Sequence, residues 1–129
     1  LIEISFKHNG IETEDFDYIV PVPLHPGRLK DRGYNQSSLI AEKLSQYFQI
    51  ELRDDIIHTI NFTASQTKLD RGRRYQNVKD NFRAAKDVKD RNIILLDDIF
   101  TTGSTIQSCS RELKSKGAKN ILAVTLARA

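Results

Sequence analysis

The residues best suited to chemistry lie together in Ile93-Ile94-Leu95-Leu96-Asp97-Asp98-Ile99-Phe100-Thr101-Thr102-Gly103-Ser104-Thr105. Aliphatics in a row, with no polar alternation, mark a strand buried on both faces. Asp97 and Asp98 follow at its carboxyl end, where open α/β sheets bind ligands. Adjacent carboxylates there accept hydrogen bonds from sugar hydroxyls or help hold Mg²⁺ through water. The next segment is small and hydroxyl-rich. Gly103 lets the backbone approach an anion closely. The hydroxyls of Thr101, Thr102, Ser104 and Thr105, with N–H groups at a helix start, can complete a phosphate cradle. Carboxylates beside such a cradle imply a ligand with both a diol and a phosphate, such as a ribose 5-phosphate. The pattern is neither the glycine fingerprint of a dinucleotide site nor a P-loop.

Positioning these groups requires a sheet, and the rest of the sequence predicts one. Tyr18 to Val22 reads as a strand stopped by Pro23, Pro26 and Gly27, with a loop running to Gln36. Leu39, Ile40, Leu44, Tyr47 and Phe48 share one face at helical spacing, with Asn35, Ser37 or Ser38 as the cap. Ile56 to Ile60 reads as another strand. Residues 61–91 are polar, basic and without clear period. Ile106, Cys109 and Leu113 form a helical stripe ended by Gly117. Ile121 to Ala127 reads as a further buried strand. Strands alternating with helices predict an α/β domain with a mostly parallel sheet flanked by helices. We place that domain at 17–129 and leave 1–16 unassigned, although Ile2, Ile4 and Phe6 alternate and Asn9-Gly10 signals a turn.

Composition excludes several classes. The chain has 129 residues, 39% hydrophobic and 29% charged, which fits one globular domain. No apolar run reaches the roughly 20 residues of a membrane helix, and no charged start leads into an apolar segment. Cys109 is the single cysteine, so no disulfide framework is available and a reduced, cytoplasmic setting is expected. Net charge is +3 with an isoelectric point near 9.1, compatible with phosphate ligands and not diagnostic of them. Met is absent, which predicts a further segment upstream of Leu1.

Ile93 to Thr105 resembles the phosphoribosyl-pyrophosphate signature of the type I phosphoribosyltransferases. The resemblance implies that Asp97 and Asp98 contact the ribose hydroxyls and that Thr101 to Thr105 hold the 5′-phosphate. Val20 to Gln36 resembles the "PVPLHPxRxxxRGxNQ" stretch of the ComF family, phosphoribosyltransferase-like proteins of DNA uptake. Gln66, Arg74, Asn77 and Phe82 keep the spacing of a third family segment. The loop after the first strand meets pyrophosphate in this class, which implies that role for Arg28, Lys30 and Arg32, with His25 as a further donor. Tyr34, in the same stretch, is read as either core or ligand contact. The 61–91 stretch, with Gln66, Arg74 and Asn77, is read as a mobile lid, as a basic aromatic strip for single-stranded nucleic acid, or as an ordinary exposed loop. The resemblance also expects arginines just before it, where this chain has Thr59 and Asn61.

The resemblance further implies an upstream four-cysteine zinc module, of which this sequence holds no ligands. Little chain remains for the base-selecting hood of the enzymes. Two functions therefore stand open. One is a transferase using phosphoribosyl pyrophosphate and Mg²⁺. The other is a catalytically silent module for a nucleotide or single-stranded DNA that docks to the competence helicase ComFA. A transcriptional regulator on the same fold would need an appended helix pair that the sequence does not show.

Overall fold

The computed structural model describes residues 10, 12–24, 26–60, 81–100 and 102–128. After a 3₁₀ turn at Thr13–Asp15 come β1 (Tyr18–Pro21), α1 (Pro26–Arg32), α2 (Gln36–Phe48), β2 (Glu51–Leu52) and β3 (Ile57–Thr59). Then follow β4 (Phe82–Ala84), β5 (Asn92–Phe100), α3 (Ser104–Ser115) and β6 (Asn120–Arg128). Four strands form a parallel sheet in the order β2-β1-β5-β6, and β3 and β4 form a separate antiparallel ribbon.

β5 organises the core. Ile93 to Leu96 are at most 2% exposed. Side chains alternate across a strand, so Ile93 and Leu95 join Val20, Cys109 and Leu113 on one face. Ile94 and Leu96 join Ile19 and Ala41 on the other. Helix α2 covers the second face, while α3 and the β3–β4 ribbon cover the first. Fully burying each such Leu or Ile stabilises the fold by about 1.5–3 kcal/mol. The register pairs Tyr18 with Ile93 and Pro21 with Leu96, so β1 and β5 reach the same rim together.

Several expectations change. The segment after β1 is not wholly loop, because Pro26–Arg32 is helical. Pro26 stands at the first helical position, where its fixed φ and missing N–H suit a helix start. The helix ends at Gly33, whose φ is +76°. On α2 the inward positions are Ser37, Ile40, Ala41, Leu44 and Phe48, whereas Leu39 and Tyr47 are 45% and 64% exposed. Tyr34 is 50% exposed, so it is not core. Strand β3 pairs with β4 outside the parallel sheet, and β4 itself arises inside the stretch read as aperiodic, being too short to show a period. β6 is less buried than its aliphatic run suggests. It is the end strand of the sheet, paired on one side to β5, and Leu126 is 47% exposed. Gly117 does end α3, with φ +93°.

Candidate active site

β5 does not stop at the aliphatic run. Its pairing with β6 continues through Asp97, opposite Thr125, to Phe100, opposite Arg128. The acidic pair therefore lies within the strand and not in a loop, with Asp97 in register with Thr125. Asp98 N–H donates to Asp97 Oδ1 at 2.9 Å and to Ser37 Oγ at 3.1 Å. Both aspartate side chains are half-buried. Burial, first, and then the neighbouring Asp98 push the Asp97 carboxyl up to about 6, against the pull of the Asp98 N–H and the Ser37 hydroxyl.

Ser37 arrives through the cap of α2. Asn35 accepts from Ser37 N–H at 3.0 Å and donates through Nδ2 to the Val22 carbonyl at 3.1 Å. Val22 N–H in turn bonds the Leu96 carbonyl at 2.8 Å. One short chain of hydrogen bonds thus links the ends of β1 and β5 to the start of α2. The sequence offered Asn35, Ser37 and Ser38 as rival caps. The structure gives the cap to Asn35 and leaves Ser37, 3% exposed, beneath the carboxylates. An Asn followed two residues on by a small hydroxyl on the buried face was the available signal.

The start of α3 is open. Gly103 occupies the cap position with φ +81° and ψ 0°, and no side chain caps the helix there. Thr102 Oγ1 lies 3.0 Å from Ser104 Oγ and 3.4 Å from Ser104 N, the latter a weak contact. First-turn amides without internal partners are anion-binding groups.

A cleft of about 440 Å³ joins these features, lined among others by Asn35, Ser37, Asp97, Asp98, Thr105 and Arg32. Arg32, in the last turn of α1, is exposed and borders the acidic pair's cleft. Lys30 is exposed but does not line it. Thr102, Gly103 and Ser104 form the turn leading to Thr105 at its edge. His25, Thr101, Gln66, Arg74 and Asn77, and the side chain of Arg28, lie outside the described residues. Thr59, Asn81 and Phe82 of the β3–β4 ribbon complete the far wall. Of these, Asn81 carried no sequence signal, since it stands in the aperiodic stretch. Cys109 is fully buried beneath the site, and burial pushes its thiol up to about 12, so it is packing.

The same fold recurs in known proteins. Residues 35–129 match the phosphoribosyl transferase domain family. Competence protein F of Haemophilus influenzae is 37% identical over 114 residues, which is 86% of this chain and 50% of that protein. The DNA utilization protein YhgH of Escherichia coli O157:H7 is 34% identical over 128 residues, 99% of this chain and 56% of that one. The chain thus spans about half the length of these relatives. Among solved structures, a purine phosphoribosyltransferase from Pyrococcus horikoshii superposes with a TM-score of 0.59 at 20% identity, covering 98% of this chain and 68% of that one. That likeness shows the fold. The chain belongs to the phosphoribosyl transferase domain family, with the type I fold and with competence and DNA-utilization proteins among its relatives.

Proposed function

We propose that this chain is the phosphoribosyltransferase part of a DNA-uptake protein and binds phosphoribosyl pyrophosphate with Mg²⁺. The observation that carries the reading is the convergence of Asp97, Asp98, the uncapped start of α3 and Arg32 on one cleft at the carboxyl edge of a parallel sheet. The 5′-phosphate takes the amides after Gly103. The ribose hydroxyls donate to Asp97 and Asp98. The pyrophosphate extends towards Arg32 and, as the family resemblance implies, towards His25, Arg28 and Lys30. The names of the relatives support the setting in DNA uptake.

Among the described residues no group of three or more His, Cys, Asp or Glu side chains could hold a metal ion. The donor set is therefore no metal cage. It fits an ion that arrives with the ligand, since Mg²⁺ commonly binds through one or two carboxylates, waters and substrate phosphates. The half-buried Asp97 carboxylate gains from a nearby cation. Bound there, Mg²⁺ neutralises charge on the pyrophosphate. In the transfer, a nitrogen acceptor bonds to the anomeric carbon as the carbon–oxygen bond to pyrophosphate breaks. The chain's contribution is to fix the phosphate, orient the ribose through the acidic pair and hold charge opposite the departing anion.

The test is calorimetric titration of phosphoribosyl pyrophosphate with and without Mg²⁺. Saturable heat with Mg²⁺, and affinity at least tenfold lower without it, is expected. No heat and no thermal shift at millimolar ligand, with folded protein, would end the reading. A second reading is a ligand-binding module without turnover that docks to single-stranded DNA and a helicase such as ComFA. One observation favours it. Among the described residues, the only proton acceptors of carboxylate or imidazole type lining the cleft are the two aspartates expected to hold the sugar. Pyrophosphate release with a panel of nitrogen acceptors separates the two.

A further inference from the structure

The parallel sheet ends in two edge strands of very different kinds. β2, at one end, is two residues long and begins with the exposed charge of Glu51. The strands of the β3–β4 ribbon have three residues each, and Glu112 Oε2 takes up the Ala84 N–H at 3.1 Å. Shortness, charge and cover are the devices by which proteins keep free edges from pairing. β6, at the other end, has none of them among the described residues. It runs nine residues, Asn120–Arg128, with no proline and no charge between its ends.

The strand is also straight and thinly covered. It keeps one register against β5 from Asn92–Asn120 to Phe100–Arg128, so no bulge turns it aside. Among the described residues nothing pairs with its other side. Helix α2 lies over β1 and β5. Leu122 and Val124, on that face of β6, are only half-buried. Leu126, next on the same face by alternation, is 47% exposed. Ala123 and Ala127 are exposed as well.

We propose that this edge pairs with the same edge of a second copy of the chain, antiparallel about a two-fold axis at Val124. The strand's own sequence argues for that occupant. With Val124 opposite its counterpart, Asn120 faces Arg128 of the second copy, Ile121 faces Ala127, Leu122 faces Leu126 and Ala123 faces Thr125. The only charge in the strand thus meets an amide and not its own kind. Moving the axis by one residue leaves two of the nine unpaired. On the α2 side, Leu122, Val124 and Leu126 of both copies join in one apolar stripe, which covers the exposed Leu126. Alternate residues of an antiparallel pair exchange both backbone bonds, so the full strand makes roughly eight to ten of them. A patch that pairs with itself about a two-fold axis closes as a dimer and does not propagate into a fibre. The paired strands run in opposite directions, so the two clefts open at opposite ends of the joined sheet and bind ligand independently.

The test is the mass of the chain by sedimentation equilibrium from about 1 to about 200 μM, since dimerisation follows mass action. Mass should rise with concentration from 14.8 kDa towards twice that value. Ala123→Lys and Leu126→Lys each set a charge on the exposed edge and should weaken dimerisation roughly tenfold or more. The control Leu39→Lys, at an exposed apolar site on α2, should change it less than about threefold. Cysteines then report the register. Facing residues lie about 4.5–5.5 Å apart at Cα, within disulfide reach, so Val124→Cys should cross-link on oxidation. Ala123→Cys should not, because its counterpart is a diagonal neighbour about 7–8 Å away. Cys109 is fully buried and takes no part. Both lysine variants should bind phosphoribosyl pyrophosphate like the wild type, so a failure here is separate from a failure at the cleft. A mass of 14.8 kDa at every concentration overturns the proposal, and β6 amides protected from exchange in that monomer would assign the edge to another segment of the same chain. A dimer that both lysine variants leave unchanged, or that does not cross-link at Val124→Cys, overturns it too and moves the interface elsewhere.

Discussion

Helix α3 has a left-handed glycine at each end, and the two ends use it in opposite ways. At Gly117 everything is closed. Lys116 and Ala118 N–H both bond the Leu113 carbonyl at 3.1 Å, Gly117 N–H bonds Lys114 at 3.0 Å, and Lys89 fills the space where a side chain would go. At Gly103 the first turn lacks a side-chain cap, and a half-buried carboxylate pair stands across the cleft. The closed end satisfies its own backbone. The open end leaves donors for something else, which is what separates a structural terminus from a binding one.

Changing both glycines tests that contrast, with the largest effects expected. Gly117→Val meets a left-handed backbone costing about 1–2 kcal/mol and a contact whose relief costs about 1–3 more. Thermal unfolding should fall by roughly 10 °C or more, while ligand affinity of the folded fraction stays near wild type. Gly103→Val should show the reverse weighting. It meets a left-handed backbone as well, but its branched side chain blocks the anion and should weaken phosphoribosyl pyrophosphate by at least tenfold. Unchanged affinity in folded Gly103→Val would place the phosphate elsewhere. Unchanged melting in Gly117→Val would dissolve the contrast.

The carboxylates give a smaller effect of definite sign. Asp97 is pushed up from 3.8 to about 6, chiefly by burial, so the folded chain holds this proton more tightly than the unfolded one. Its favourable contribution is complete below about pH 4 and is lost as pH rises through about 6. Asp97→Asn removes the cost of an ionised, half-buried carboxylate and keeps an oxygen for Asp98 N–H. So large a rise would be equivalent to about 3 kcal/mol without screening, and solvent at this half-exposed site reduces that to roughly 1 kcal/mol. The variant should melt a few degrees higher at pH 7.5 and equally at pH 4, while losing Mg²⁺-dependent binding. A variant less stable at pH 7.5 would mean that Asp97 anchors the rim instead of straining it.

The two ends also differ in how legible they were. The Ile93–Leu96 run and the Asp-Asp and Thr-Thr-Gly-Ser pattern announce a buried strand and an anion turn, because burial on both faces and helix-start chemistry each leave a residue-level trace. Gly117 was readable as a helix end for the same reason. What the sequence hid were relations between distant residues. Nothing local says that Ser37 lies under Asp98, or that Arg91 and Lys119 are hydrogen-bonded neighbours. Pro26 misled because proline both stops strands and starts helices. The exposure of β6 follows from its place at the sheet edge, which an aliphatic run cannot encode.

The smallest expected effect concerns what holds the open end in shape. Asn35 caps α2 through Ser37 N–H and ties that cap to the Val22 carbonyl, so one side chain sets the spacing between the first strand and the acidic pair. Asn35→Ala removes an N-cap, a loss of about 1 kcal/mol, and leaves the carbonyl to the water of the cleft. Melting should drop by a few degrees and ligand affinity by no more than about threefold, because neither carboxylate nor amide cradle is touched. Asn35→Asp discriminates further. It preserves the acceptor for Ser37 N–H, so stability should largely recover, but it loses the donor to Val22 and adds a third carboxylate to the cleft. Anionic ligand should then bind more weakly than in Asn35→Ala, despite the better cap. If both variants bind alike, charge at this position does not reach the ligand, and Asn35 belongs to the scaffold alone.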